Sequence, residues 1–226
     1  LYFNAISQFQ TREFEDGGFN ILDTIPHGIP LENLPFAEEK QDYLFSFGRI
    51  CPEKGQDTAV KIARKLGKPL IIGGVIHPPN IQYWKETVEP YLDFSVNRLP
   101  QEDWDGAKNY LVQKLKEGKE IVDNGKIIFV GGLTDKQKGW FYARAKVFLM
   151  PINWQEPFGL TMIESMACGT PVIAYQKGGG TETVVDGKTG IFFKEQTEEA
   201  LAQAITRFEN LDFKENLIIN NARKFR

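Results

Sequence analysis

An α/β domain built on a doubly wound parallel sheet is the fold this sequence predicts, and three observations predict it. Short apolar runs alternate with longer segments of helical period. The runs are apolar at consecutive positions, as strands buried on both faces must be. They number five or six, whereas an eight-unit barrel needs more repeats and usually more than 226 residues.

Residues 1–25 read as a strand, a helix opened by Ser7 and a second strand, set apart by Pro26-His27-Gly28-Ile29-Pro30. Tyr43–Phe47 begins the regular run. Residues 55–66 follow as a helix, with Ala59, Ile62, Ala63 and Leu66 on one face at i, i+3, i+4 and i+7. A strand at Leu70–Ile72, a helix over Asn80–Leu92 and a strand at Ile127–Val130 come next. Thr134 is placed to cap a helix running to Ala145. A strand at Val147–Met150, a helix over Phe158–Ala167 and a strand at Pro171–Ala174 complete the clearest part. A short helix at 182–185, a strand at 190–193 and a helix at 197–208 precede a polar C-terminal stretch that ends without an obvious closing element. The charged segment 93–125, with a surface helix near 105–117, reads as an insertion that decorates the surface sooner than it shapes a ligand pocket.

Composition narrows the function classes. Twenty-seven basic residues against 30 acidic ones give a net charge of −3, so no positive excess points to nucleic acid or an anionic membrane. No apolar run approaches the roughly 18–20 residues of a membrane span. Cys51 and Cys168 stand alone, with no partner at metal-ligand spacing, which argues against a structural zinc site and fits a reduced, cytosolic setting.

Two constellations carry chemistry. Gly48-Arg49-Ile50-Cys51-Pro52-Glu53-Lys54-Gly55 follows a strand and precedes a helix. In such sheets ligands bind beyond the carboxyl ends of the strands, and Arg49 and Lys54 put two positive charges where a diphosphate can sit. The second is Glu156-Pro157-Phe158-Gly159-Leu160-Thr161-Met162-Ile163-Glu164. Pro157 suits a first helical turn, Gly159 lets a ligand approach the backbone, and the amides of Phe158 to Thr161 are unpaired donors at a helix start. Carboxylates accept paired hydrogen bonds from vicinal hydroxyls, so Glu156 can face a sugar and Glu164 a ribose diol. Solvated charges at a loop and a helix start are the competing explanation for each residue taken singly.

Glu156 and Glu164, followed by Ser165-Met166-Ala167-Cys168-Gly169-Thr170-Pro171-Val172-Ile173-Ala174, closely resemble the signature of glycosyltransferase family 4, the group 1 glycosyl transferases. The resemblance extends to Phe47-Gly48-Arg49 with Lys54-Gly55, to Phe129-Val130-Gly131-Gly132-Leu133, to Gly178-Gly179-Gly180-Thr181-Glu182 and to Asp186-Gly187-Lys188-Thr189-Gly190. It implies a Rossmann-like domain, one half of a GT-B enzyme, that binds a UDP- or GDP-linked sugar in a retaining, metal-independent transfer with no cofactor. By that resemblance Gly48, Arg49 and Lys54 hold the diphosphate and Glu156 the donor hexose, with the amides of Phe158, Gly159, Leu160 and Thr161 nearby. Glu164 holds the ribose, and Val130, Gly131 and Leu133 form the turn where the base packs. Arg49, Lys54 and Glu156 are then the catalytic set, with Glu156 a binding group rather than a covalent nucleophile.

The same resemblance implies an acceptor-side domain before this chain, with residues 1–25 as its connecting remnant and 26–226 as the donor domain. Neither His27 nor His77 matches the histidine of that absent half, and the helix that crosses back to it is expected to be cut short. The acceptor is open: a sugar, a lipid or a small molecule, reached in the cytoplasm or at a membrane periphery through the absent domain. A sugar-nucleotide epimerase, a glycogen-type synthase and a non-catalytic sugar-nucleotide-binding module are the rival readings. Three further features carry little. Asp103-Trp104-Asp105 lacks the preceding strand a metal-binding pair needs. Gly187-Lys188-Thr189 lacks the first glycine of a phosphate loop, since Glu182 stands there. Trp84, Trp140 and Trp154 read as packing residues, with Trp154 near enough to Glu156 to reach a sugar.

Overall fold

The computed structural model describes residues 1–226. A first unit consists of β1 (Tyr2–Ala5), α1 (Gln8–Asp16) and β2 (Asn20–Thr24), with the two strands paired in parallel. Ser7 opens α1 as expected, its Oγ accepting the Gln10 amide at 3.0 Å. Two strands make a poor core, and Tyr2, Phe19, Leu22 and Ile25 are left exposed.

The main body begins at β3 (Leu44–Phe47) and continues through α2 (Gln56–Leu66), β4 (Leu70–Gly73), α3 (Ile81–Tyr83), β5 (Phe94–Ser95), α4 (Trp104–Lys116) and β6 (Ile127–Phe129). Then come α5 (Asp135–Arg144), β7 (Val147–Met150), α6 (Leu160–Ala167), β8 (Val172–Tyr175), α7 (Gly180–Thr183), β9 (Gly190–Phe193), α8 (Glu198–Glu209) and α9 (Glu215–Ala222). Seven strands form one all-parallel sheet in the order β5-β6-β4-β3-β7-β8-β9. The doubly wound architecture is therefore as the sequence predicts. Phe45, Ile71, Phe148 and Ile173 are completely buried, because helices cover both faces. The order reverses between β3 and β7, and the crevice at their carboxyl ends is where the fold leaves room for a ligand.

Several elements differ from the sequence reading. The helix expected over Asn80–Leu92 is broken into a 3-10 turn (Pro78–Asn80), α3, a π turn (Trp84–Val88) and a 3-10 turn (Glu89–Tyr91). Pro90 removes a backbone donor, and the wider π turn lets both Trp84 and Val88 face the core, Trp84 lying 4.4 Å from the Phe129 ring. Residues 93–125 are not a surface decoration. They supply the edge strand β5 and helix α4, whose Val112 and Leu115 are buried together with Val96. The C-terminal stretch does have a closing element: α9 buries Ile218 and Ala222 against α6, and Asn221 donates to the Thr183 carbonyl at 2.7 Å. The short helix lies at Gly180–Thr183 rather than 182–185.

Asp93 fastens the edge of the sheet. Its Oδ2 accepts the Ile127 amide and an Arg64 N–H, both at 2.8 Å, and its Oδ1 accepts from Lys126 at 3.1 Å. Burial works against the charge, but these three donors outweigh it and hold the carboxyl down at about 2 instead of 3.8. A depressed carboxylate stabilises the fold above its unfolded value and loses that contribution as pH falls through the folded one. Asp93→Asn should therefore lower unfolding free energy by roughly 1–2 kcal/mol at neutral pH. In urea titrations the gap from wild type should hold above pH 3.8 and close as pH falls toward about 2.

Candidate functional site

Two loops meet at the crevice between β3 and β7. The first, residues 48–55, leaves β3 and turns through a short 3-10 turn (Pro52–Lys54) into α2. The second, residues 151–159, leaves β7 and ends at α6. Asn153 zips them together: its amide donates to the Glu53 carbonyl at 3.0 Å and its Nδ2 to the Pro52 carbonyl at 2.8 Å. Gly55 makes that approach possible, because at φ 67° a Cβ there would lie 1.9 Å from the Pro151 oxygen.

Lys54 and Glu156, 102 positions apart in sequence, consequently form an ion pair at 2.7 Å, both half-buried. The Lys54 ammonium also lies 5.2 Å from the centre of the Trp154 ring, which is 37% exposed. Trp154 is thus part of the crevice wall rather than of the core. Arg49 is exposed, and its guanidinium makes no hydrogen bond or ion pair within the chain; only its carbonyl is engaged, by Gln56 Nε2 at 2.8 Å. Gly48 lies against the Lys54 stem, 3.9 Å from its Cγ and Cδ on a Cβ vector. One free and one half-free cation thus stand at the carboxyl end of β3.

Helix α6 starts at Leu160, not Phe158, because Gly159 sits at φ 94°, outside helical space. The amides of Phe158, Gly159, Leu160 and Thr161 donate to nothing within the chain. Four unpaired N–H groups beside Lys54 and Glu156 make a positively polarised rim suited to an anion. Phe158 is buried, its ring meeting those of His27 at 5.5 Å and Phe225 at 5.7 Å. Thr161 Oγ1 turns inward to Met150 Sδ at 3.4 Å, so only its amide is available.

Glu164, on the second turn of α6, is separated from this group and has its own partners. Lys138 donates to its Oε1 at 2.7 Å and the Tyr142 hydroxyl lies 3.4 Å from its Oε2. Burial raises the Glu164 carboxyl above 4.5, and Lys138 offsets only part of that rise. Lys138 is itself raised despite burial, since both Glu164 and Asp135 face it. A cavity of about 270 Å³ adjoins Glu164, walled by Ile29, Pro30, Leu34, Asp135 and Lys138. Leu133 packs toward Phe47 over Gly73, and the Gly131 carbonyl accepts the Gly74 amide at 2.8 Å, so the turn after β6 borders the β3 end; Val130 is buried beneath it. Sequence reasoning missed Lys138 and Tyr142. Nothing in the sequence distinguishes Lys138 from a solvated helix charge, since its partner is 26 residues away.

The other singled-out features fall elsewhere. Asp103 and Asp105 stand at the start of α4, after a 3-10 turn rather than a strand, and Asp105 pairs with Lys108 at 2.7 Å. Gly178–Gly180 do not open toward the crevice; their Cβ directions are filled by the backbone of Glu156 and Pro157 and by Met162.

Residues 33–225 match the family described as glycosyl transferases group 1. A GDP-mannose-dependent alpha-(1-6)-phosphatidylinositol monomannoside mannosyltransferase of Mycolicibacterium smegmatis is 25% identical over 208 residues, 81% of this chain and 46% of that protein. A probable sucrose-phosphate synthase of Thermosipho melanesiensis is 30% identical over 63% of this chain and 35% of its own length. Among solved structures, Anabaena HepE in complex with UDP and glucose superposes with a TM-score of 0.71 at 20% identity, covering 98% of this chain and 56% of that one. Sucrose-phosphate synthase from Thermosynechococcus elongatus gives 0.68 at 24% identity, covering 99% of this chain and 52% of its own. The chain thus spans about half the length of these relatives or less. With its match over most of its length and a seven-stranded parallel sheet of the GT-B kind, the chain belongs to the glycosyl transferases group 1.

Proposed function

We propose that this chain is the donor-binding half of a retaining, metal-independent hexosyltransferase that uses a UDP- or GDP-linked sugar. The observation that carries the reading is the convergence, at the switch point of the sheet, of Arg49, the Lys54–Glu156 pair and four unpaired amides. A diphosphate answers the cations and amides, and a sugar hydroxyl answers the carboxylate. When the bond from the sugar to the diphosphate breaks, negative charge grows on the leaving oxygens, so Arg49 and Lys54 stabilise the transition state more than the ground state. The acceptor oxygen attacks the face the diphosphate leaves and its proton passes to the departing diphosphate oxygen, while Glu156 serves by orienting the hexose. Glu164, held by Lys138 beside its cavity, is the ribose ligand, and the turn at Val130, Gly131 and Leu133 borders the base.

In this reading residues 26–226 form the donor domain and residues 1–25 are the end of a preceding acceptor domain. The exposed apolar side chains on β1 and β2 support that division, since a larger sheet would cover them. Two free, buried thiols, Cys51 and Cys168, suit a cytoplasmic setting. No helix is long and apolar enough to cross a membrane.

Titration calorimetry of the chain with UDP, GDP and the parent nucleosides, in the presence of a chelator, tests the reading. Either or both diphosphates should bind at least about tenfold more tightly than their nucleosides. Equal affinity for nucleoside and diphosphate, or binding only with added divalent cation, would overturn it.

A further inference from the structure

Two of the free amides at the start of α1 are capped from outside the helix. The Gln8 and Phe9 amides donate to the two oxygens of Glu182, at 2.9 and 2.7 Å, across more than 170 positions of sequence. Ser7, only 1% exposed, accepts the Gln10 amide and also donates its own proton to the Pro157 carbonyl at 2.6 Å. Pro157 is the residue between Glu156 and the unpaired amides. The preceding peptide is held by the glycine turn: the Gly179 amide donates to the Glu156 carbonyl at 2.7 Å. A Cβ on Gly179 would lie 2.0 Å from the Pro157 oxygen and 2.9 Å from Ser7 Oγ. The Gly178–Gly180 turn and Glu182 therefore grip the loop and the first unit, and the loop lies between them.

We propose that Ser7 and Glu182 are positioning residues, a latch that fixes the Glu156-bearing loop by tying it to the unit of residues 1–25. Neither side chain touches the crevice. Their effect passes through the Pro157 carbonyl and the α7 turn, so the orientation of α1 sets where Glu156 and the Phe158–Thr161 amides point. Because residues 1–25 belong to a different structural unit from the sheet, the latch joins the catalytic loop to whatever that unit is attached to. The inference that this affects transfer rests on the function proposed above; the mechanical coupling does not.

Two measurements on the full-length protein test it. In hydrogen exchange, Ser7→Ala and Glu182→Ala should each speed exchange of the Gly179, Met162 and Ile163 amides, which are bonded to the Glu156 and Gly159 carbonyls of the loop, by about tenfold, with Ser7→Thr, which keeps a capping hydroxyl, close to wild type. A purely local capping role would alter only residues 8–16, and that result would overturn the latch. In sugar-transfer assays both alanine variants should lower kcat by about tenfold while the Kd for nucleoside diphosphate stays within about twofold. Unchanged kcat alongside faster loop exchange would overturn the positioning role. If wild type binds no nucleoside diphosphate, the proposed function falls, and the exchange pattern still decides the coupling.

Discussion

Arg49→Ala will weaken nucleoside-diphosphate binding by roughly ten- to a hundredfold and leave nucleoside binding nearly unchanged. The size follows from losing one charge-assisted hydrogen bond, worth about 1.5–3 kcal/mol where both partners are ordered. Arg49 is the clean probe because its guanidinium has no partner in the chain, so its removal orphans nothing. Lys54→Ala removes a cation of equal charge but also strands Glu156, whose carboxylate is half-buried and held at 2.7 Å. An unpaired carboxylate at the mouth repels the incoming diphosphate, so Lys54→Ala should cost more than Arg49→Ala. Lys54→Ala combined with Glu156→Gln should recover part of that difference, which a double-mutant cycle in calorimetry would measure. Equal losses for nucleoside and diphosphate in Arg49→Ala would remove Arg49 from the phosphate site. No recovery in the double variant would show that the ion pair plays no part in arming the crevice.

What the sequence revealed about the fold was what periodicity records. Strands such as Val147–Met150 and Gly190–Phe193 are apolar throughout because both faces are covered, and they appear where the apolar runs stand. Thr134 and Gln137 form a full capping box, a local device legible from two residues. The failures share a cause in tertiary packing. Strand β5 is two residues long, and Phe94 at its head is exposed, so no alternation exists to be seen. Helix α9 reads as polar because its burial rests on Ile218, Ala222 and the side-chain amide of Asn221. The π turn at Trp84–Val88 breaks the very period used to find helices.

The site was legible one residue at a time, not as contacts. Lys54 and Glu156 each stood out in their own motif, but their pairing depends on how two loops pack at the reversal of strand order, which no spacing encodes. Lys138, the Ser7 bond to Pro157 and the bonds from Gln8 and Phe9 to Glu182 were invisible for the same reason. Gly178–Gly180 stand in the sequence only as a glycine run, which leaves room near a backbone; that room is filled by Pro157 and its neighbours, a packing no glycine count discloses.

The packing of those loops makes a second prediction of large effect. Gly55 and Gly67 have nearly the same backbone, at φ 67° and 62°, and they open and close the same helix α2. Their surroundings differ: a Cβ at Gly67 meets nothing within 4 Å, whereas one at Gly55 would stand 1.9 Å from the Pro151 carbonyl oxygen. Alanine at either site bears the left-handed backbone cost, about 1 kcal/mol. Only Gly55→Ala must also push two loops apart, adding about 1–3 kcal/mol of overpacking. Gly55→Ala should thus be destabilised by about 2–4 kcal/mol, which for a domain of this size lowers Tm by roughly 4–16 °C, against roughly 2–4 °C for Gly67→Ala. The functional consequence separates them further. Parting the loops stretches the Asn153 bonds to Pro52 and Glu53 and withdraws Lys54 from Glu156, so diphosphate affinity should fall more than tenfold in Gly55→Ala and not in Gly67→Ala. Matching melting temperatures and matching affinities in the two variants would mean that the close approach of these loops does not build the crevice.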